Sequence, residues 1–213
     1  MMESSIRRRT LLAMSAAIAA GGLAVPGQAQ SGRGSTVAIE RLNAALLTAM
    51  RLGQAAPFAQ RFRVLAPAID EAFDLGAILR LSVGPSWASL PVDQQRQLQV
   101  AFRRYTIASY VANFDSYDGE AIQTASEVTP IAGGDQVVAT RILRSSGSAA
   151  VLSYVMRATA NGWKAIDVLA DGGISRVAVQ RSDFRNVLTQ GGSAALVARL
   201  QRKVADLSGG AFA

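Results

Sequence analysis

Asp167 is the side chain in this 213-residue sequence whose setting most invites chemistry. It is the single acid in the run 163–169, WKAIDVL, which is otherwise mostly apolar. One reading makes it a general base with a raised pKa, as a small isomerase with a cone-shaped sheet would use it beside a tyrosine. The other makes it structural, accepting backbone amides or pairing with an arginine such as Arg181. Buried carboxylates are as a rule paired, so the structural role is the expected one. Arg176, Arg181 and Arg185 follow. They suit an anionic headgroup, a docking surface or, more commonly, a solvated face.

The rest of the reactive repertoire is short. The chain has no cysteine and no histidine. Thiolate nucleophiles, Ser-His-Asp triads and zinc sites with nitrogen or sulfur ligands are therefore excluded. No disulfide staples the fold. An enzyme here would have to work with carboxylates, Tyr, Lys or Arg, and the expectation is a protein without catalytic residues, metal or cofactor.

The elements that must position Asp167 follow from periodicity. Ile39, Leu42, Leu46 and Met50 repeat at helical spacing. A second helix begins near Pro57 with Phe58, Phe62, Leu65, Ile69 and Phe73, and Pro67 should kink or end it. Leu75, Ile78 and Leu79 form a short apolar third helix, closed by Gly84-Pro85. Pro91 suits the first position of a long helix, with Ser89 as candidate cap. Leu98, Phe102, Tyr105, Ser109 and Ala112 share one face of it. Strands are expected at about 121–129, 136–144, 149–158 and 163–169. Gly133-Gly134-Asp135, Ser146-Gly147 and the hairpin turn Asn161-Gly162 separate them, which makes an antiparallel meander. After Asp171-Gly172-Gly173 comes a helix with Phe184, Val187 and Leu188, then a last one over 193–207. Helices, meander, helices is an α+β order.

These motifs resemble a known family. In the periplasmic lipid carriers that include MlaC, the soluble component of the Mla phospholipid pathway, and the toluene-tolerance proteins, a W-x-x-x-D strand runs into a G-(V/I)-S turn. A helix with an aromatic residue follows. Trp163, Asp167, Gly173, Ile174, Ser175, Arg181 and Phe184 stand at those positions. Phe73-Asp74 followed by Gly84-Pro85-Ser86-Trp87 is similar to the family's F-D and G-x-x-W. Gln95-Arg96, Phe102 and Tyr105 match its long helix. The resemblance covers about residues 40–207. The Q-R-S-D-F helix and the G-G-I-S turn look like the hopanoid-associated, HpnM-like branch.

The resemblance implies a lipid carrier. Leu152, Tyr154 and Met156 alternate along one strand, and Ile166 and Val168 along the next, with apolar residues on both faces. Such a sheet is either packed solid between helices or lines an elongated apolar pocket. The resemblance favours the pocket, and the residues expected to line it are Leu75, Ile78, Leu79, Trp87, Phe102, Tyr105, Val138, Ile142, Leu152, Tyr154, Met156, Ile166, Val168 and Phe184. Each methylene hidden from water is worth about 0.8 kcal/mol, so a lipid needs a dry slot to cross an aqueous space. The implied role is to carry phospholipid or a hopanoid-type lipid, as a monomer, between membrane-bound transport complexes linked to an ABC transporter. The competing classes are the isomerase built on Asp167 and a periplasmic adaptor with a filled core.

The N-terminus sets the compartment. Arg7-Arg8-Arg9, an apolar stretch and Gly27-Gln28-Ala29 have the order of an export signal over residues 1–29. Arg8-Arg9 also fits a twin-arginine leader. Residues 30–38, polar and glycine-bearing, are expected as a flexible lead-in to a single lipid-binding domain over 39–208 in the periplasm. The chain's +7 charge includes +2 from the leader's three arginines and Glu3, leaving +5. It has no run of five basic residues and no aromatic–basic interleaving, so nucleic acid is not an expected partner.

Overall fold

A computed structural model describes residues 26–212 apart from Ser146, Ser148, Asp171 and Gly172, with side chains from residue 34 onward. Five helices surround one side of an antiparallel sheet: α1 (Pro26–Leu52), α2 (Phe58–Ala72), α3 (Leu75–Val83), α4 (Val92–Asn113) and α5 (Arg176–Leu207). The strands are β1 (Ala121–Thr124), β2 (Thr129–Pro130), β3 (Gln136–Leu143), β4 (Ala149–Thr159), β5 (Gly162–Ala170) and β6 (Ile174–Ser175). Their order is β1-β3-β4-β5-β6, with β2 also paired to β3. The four expected strands are thus joined by two short ones. The first expected strand, 121–129, divides into β1 and β2. The Gly-Ile-Ser segment turns back on β5 as β6, pairing Ser175 with Leu169. It reads as a loop because two residues are too few for an alternating pattern.

Each helix buries the stripe its spacing announces. Ile39, Leu42 and Leu46 of α1, Leu65 and Ile69 of α2, Leu79 of α3, and Leu98 and Phe102 of α4 are buried, whereas Tyr105, Ser109 and Ala112 of the expected α4 face are half-buried and Ile107, outside it, is fully buried. Helix α2 runs straight through Pro67 to Ala72. Pro67 lies on the exposed side, so water can serve the carbonyl its missing amide leaves free. Ser89 does not cap α4: its hydroxyl donates to the Ser86 carbonyl, and Pro91 holds the cap position with no side-chain bond.

The expected flexible lead-in 30–38 is instead part of α1. Ser35 is fully buried, and its hydroxyl accepts a hydrogen bond from Gln136 Nε2 at 2.7 Å. A Cβ on Gly34 would stand 2.9 Å from Cδ1 of the Trp163 ring. Small residues read as disorder because they carry no apolar stripe. Here their smallness is what lets α1 approach the sheet. The expected export leader lies outside the described residues as far as residue 25, and so do Asp171 and Gly172 of the glycine break.

Two junctions tie helices to sheet. Phe73 closes α2, and Asp74 caps α3 by accepting from Ala77 N–H at 2.7 Å. The Asp74 N–H donates to the Ala165 carbonyl on β5 at 3.0 Å. The Lys164 ammonium donates to the Asp70 and Glu71 carbonyls, two of the acceptors left open at the end of α2. The F-D dipeptide therefore marks the corner where the helical layer meets β5. The β4–β5 turn is Ala160-Asn161, one residue earlier than expected, since Thr159 pairs with Gly162. Gly162 has φ +97°, which glycine adopts without strain. Within α5, Gly192 at φ +65° breaks the helix, so the expected two C-terminal helices appear as halves of one kinked element.

Candidate functional site

The inner face of the sheet divides along its length. Ile142, Thr140, Val138 and Gln136 follow one another down that face of β3, and β4 sets Ala150, Leu152, Tyr154 and Met156 opposite them. Near Gln136 the helices pack directly on the strands. Val138, Tyr154, Met156 and Ala165 are within 1 % of complete burial, amid α1, α2 and α4 side chains. Toward Ile142 the layers part and leave a cavity of about 440 Å³. That lies within the range of roughly 300–1,000 Å³ typical of ligand pockets.

The wall is built from both layers. Phe73, Leu75 and Ile78 come from the α2–α3 corner, Ile142, Leu152, Val168 and Ala170 from the sheet, and Val177 and Gln180 from α5. Helix α4 supplies Phe102, Tyr105, Thr106, Ser109, Tyr110 and Asn113. Buried Phe73, Ile78, Phe102 and Ile142 form the deep part, whereas Asn113, Ser116, Arg144 and Arg176 are exposed and mark the mouth.

Of the residues expected to line a pocket, Leu75, Ile78, Phe102, Tyr105, Ile142, Leu152 and Val168 lie on this wall. Seven others do not. Leu79, Val138, Tyr154 and Met156 are solid core. Phe184 stands behind the wall, edge-on to Phe102 with ring centres 6.2 Å apart. Trp87 sits on the 3-10 turn Gly84–Ser89, where the Gln95 amide donates to its carbonyl and to that of Leu90. Ile166 falls at a β-bulge: Val155 pairs with Asp167 and Met156 with Ala165, leaving Ile166 as the extra residue. The bulge interrupts the alternation, so Ile166 and Val168 do not continue one pattern with Ala165.

Sequence reasoning missed Thr106, Tyr110 and Asn113. The signal was present, because they continue the three-to-four spacing from Phe102 and Ser109 on α4. Their polarity obscured it. Ser109 and Asn113 donate to carbonyls four residues back, Tyr105 and Ser109 respectively. The Tyr110 hydroxyl is hydrogen-bonded to that of Tyr154, and burial drives both phenols well above their ordinary pKa. Both stay neutral in the folded chain at any ordinary pH.

Asp167 is at the cavity edge and its oxygens are taken. Oδ1 accepts from Val168 N–H at 2.7 Å and from Val177 N–H at 3.1 Å, and Oδ2 accepts from the Ser175 hydroxyl. Ser175 in turn caps α5, its Oγ accepting from Ala178 N–H at 3.0 Å. The W-x-x-x-D and G-I-S motifs are thus two halves of one device that fixes the start of α5 against β5. The expected alternative partner, Arg181, lies elsewhere: a Cβ on Gly84 would stand 3.2 Å from its Nε. Gly84, at φ +73°, is required both for that approach and for its backbone.

This architecture is shared with known proteins. A phospholipid-binding protein from Ralstonia solanacearum, solved in complex with a phospholipid, superposes with a TM-score of 0.70 at 21 % identity. The match covers 84 % of this chain and 98 % of the other. No curated protein matches in sequence. A sequence model of the family described as MlaC protein matches residues 40–202, most of the chain, and the chain belongs to that family.

Proposed function

We propose that this protein binds a phospholipid, with acyl chain in the cavity and headgroup at the mouth, and carries it across the periplasm. The observation that carries the reading is the shape of the site. Its deep wall is apolar and buried, its opening is polar and exposed, and Asp167 at its edge is occupied by donors of the chain itself. Such a site supplies the dry surface a hydrocarbon chain needs, at about 25 cal/mol per Å² of apolar area covered. Family membership and the phospholipid held by the Ralstonia solanacearum protein support it.

On this reading the protein is a carrier rather than an enzyme. Asp167 holds the β5–α5 corner and is not a base. The carrier passes its lipid between membrane-bound complexes, one of them linked to an ABC transporter. The expected hopanoid specificity of the HpnM-like branch is a narrower form of the same proposal. Among the described residues no helix is long and apolar enough to cross a membrane.

The test is to purify the protein without detergent, extract it and identify bound lipid by mass spectrometry. A phospholipid near one per chain is expected. A polycyclic triterpenoid instead would transfer the proposal to the hopanoid branch. Lipid-free protein that also takes up no lipid from vesicles would overturn the carrier reading.

A further inference from the structure

We propose that Arg144 and Arg176 form a two-arginine clamp at the cavity mouth that selects lipids with an anionic phosphate headgroup. This rests on the carrier reading and adds what decides the cargo. Arg144 directly follows β3 and Arg176 is the first residue of α5, so two separate elements bring an arginine each to the lining of one cavity. Both are exposed. Among the described residues the ion pairs are Arg41–Glu71, Arg96–Asp93, Arg103–Asp70 and Arg157–Asp135, and neither mouth arginine is in one of them.

The acids nearby do not fill that gap. Glu120, also on the cavity wall, accepts the Asp118 N–H at 2.6 Å. Asp167 is held by Val168, Ser175 and Val177. Two first-turn amides of α5 are also taken, Val177 N–H by Asp167 and Ala178 N–H by Ser175. Arg144 and Arg176 are the cationic side chains on the described cavity wall, so they are the groups placed to meet a negative charge above it. Arginine presents a planar fork of donors matched to phosphate oxygens, which a neutral headgroup cannot answer. The apolar wall below takes the chains of any lipid, so discrimination resides at the rim.

The test compares uptake of phosphatidylglycerol with uptake of diacylglycerol bearing the same chains, for wild type, R144Q, R176Q and the double variant. Hydrogen bonds to charged groups lead to an expected loss of about tenfold in phosphatidylglycerol affinity per arginine, with diacylglycerol changed by less than about twofold. The wild-type preference should also shrink as salt rises, since the rim is exposed; that measurement needs no variant. Equal affinity of wild type for both lipids, or unchanged preference in the double variant, overturns the clamp while leaving the carrier reading intact. Uptake of neither lipid overturns the carrier reading itself. Inorganic phosphate is titrated into lipid-free protein as a separate arm. Weak binding, in the millimolar range or above, supports the lipid clamp. Tight phosphate binding that leaves lipid uptake unaffected assigns the arginines to free phosphate and overturns it.

Discussion

Leu152 and Tyr154 are two residues apart on the same face of the same strand, yet they belong to different parts of the molecule. Tyr154 is 1 % exposed, its ring 6.1 Å from that of Phe73 and its hydroxyl bonded to Tyr110. Leu152 stands on the wall of the cavity. From Val138 to Ile142 on the neighbouring strand the same change happens within about 13 Å, four residues at roughly 3.3 Å each. What differs is the opposing layer. At the Gln136 end α1 comes close enough for Ser35 to touch the sheet, and the α2 and α4 side chains fill the space. At the other end side chains of α4 and of the α2–α3 corner border the cavity instead of filling it. One apolar face thus serves both as core and as cavity wall, and the helices decide where one use ends.

The largest expected effect tests that boundary directly. Tyr154→Ala should cost about 3–5 kcal/mol in urea unfolding, the scale for truncating a buried aromatic residue. Leu152→Ala should cost about 1 kcal/mol or less while weakening lipid retention, because its side chain already borders open space. Similar losses at both positions would mean that the cavity is packed in solution and the contrast is wrong.

A smaller loss is expected at Asp167, which shapes the mouth end by anchoring α5. Asp167→Asn keeps one acceptor oxygen for the backbone amides and an amide that can donate to the Ser175 hydroxyl. About 1–3 kcal/mol should be lost, the range for disturbing a buried polar group, and bound lipid should persist. A stable Asp167→Asn protein that loses a catalytic turnover would point to the isomerase reading instead.

The gentlest probe is alkaline pH, and it reads Tyr154 of the packed end together with its neighbour Tyr110 on the cavity wall. Tyr110 and Tyr154 have folded pKa values raised by burial. Their stabilising contribution is fully present below the unfolded value of about 10 and falls as pH rises past it, by about 1.4 kcal/mol per pH unit for each phenol. Tyr154→Phe should remove one phenol's share of that slope in unfolding curves taken above pH 10. An unchanged slope would place the Tyr154 phenol in contact with water.

Much of the fold was legible because its elements advertise themselves locally. The three-to-four spacing of Ile39, Leu42 and Leu46 dictated a buried helical stripe, and the turn-flanked apolar runs dictated an antiparallel meander. Asp167 was legible as a structural acceptor, though not its partners. Ser175 and Val177 meet it only because the chain doubles back through β6. The pocket list was half right in position for the same kind of reason. Alternation identifies the face a residue occupies, but says nothing of what lies opposite. The bulge at Ile166 then shifted the alternation itself by one residue.

By itself, then, the sequence determined the absence of thiol and imidazole chemistry, the α+β order and the motifs that join β5 to α5. These depend on residue type and on neighbours within a few turns of chain. Only the tertiary structure decided where the core stops and the cavity begins, and which arginines reach its mouth. Arg176 came from the expected basic cluster, Arg181 went to Gly84, and Arg144 arrived from a strand end more than thirty residues away in sequence. Those outcomes depend on how closely whole layers approach, a distance set where the small Gly34 and Ser35 meet Trp163 and Gln136, far away along the chain.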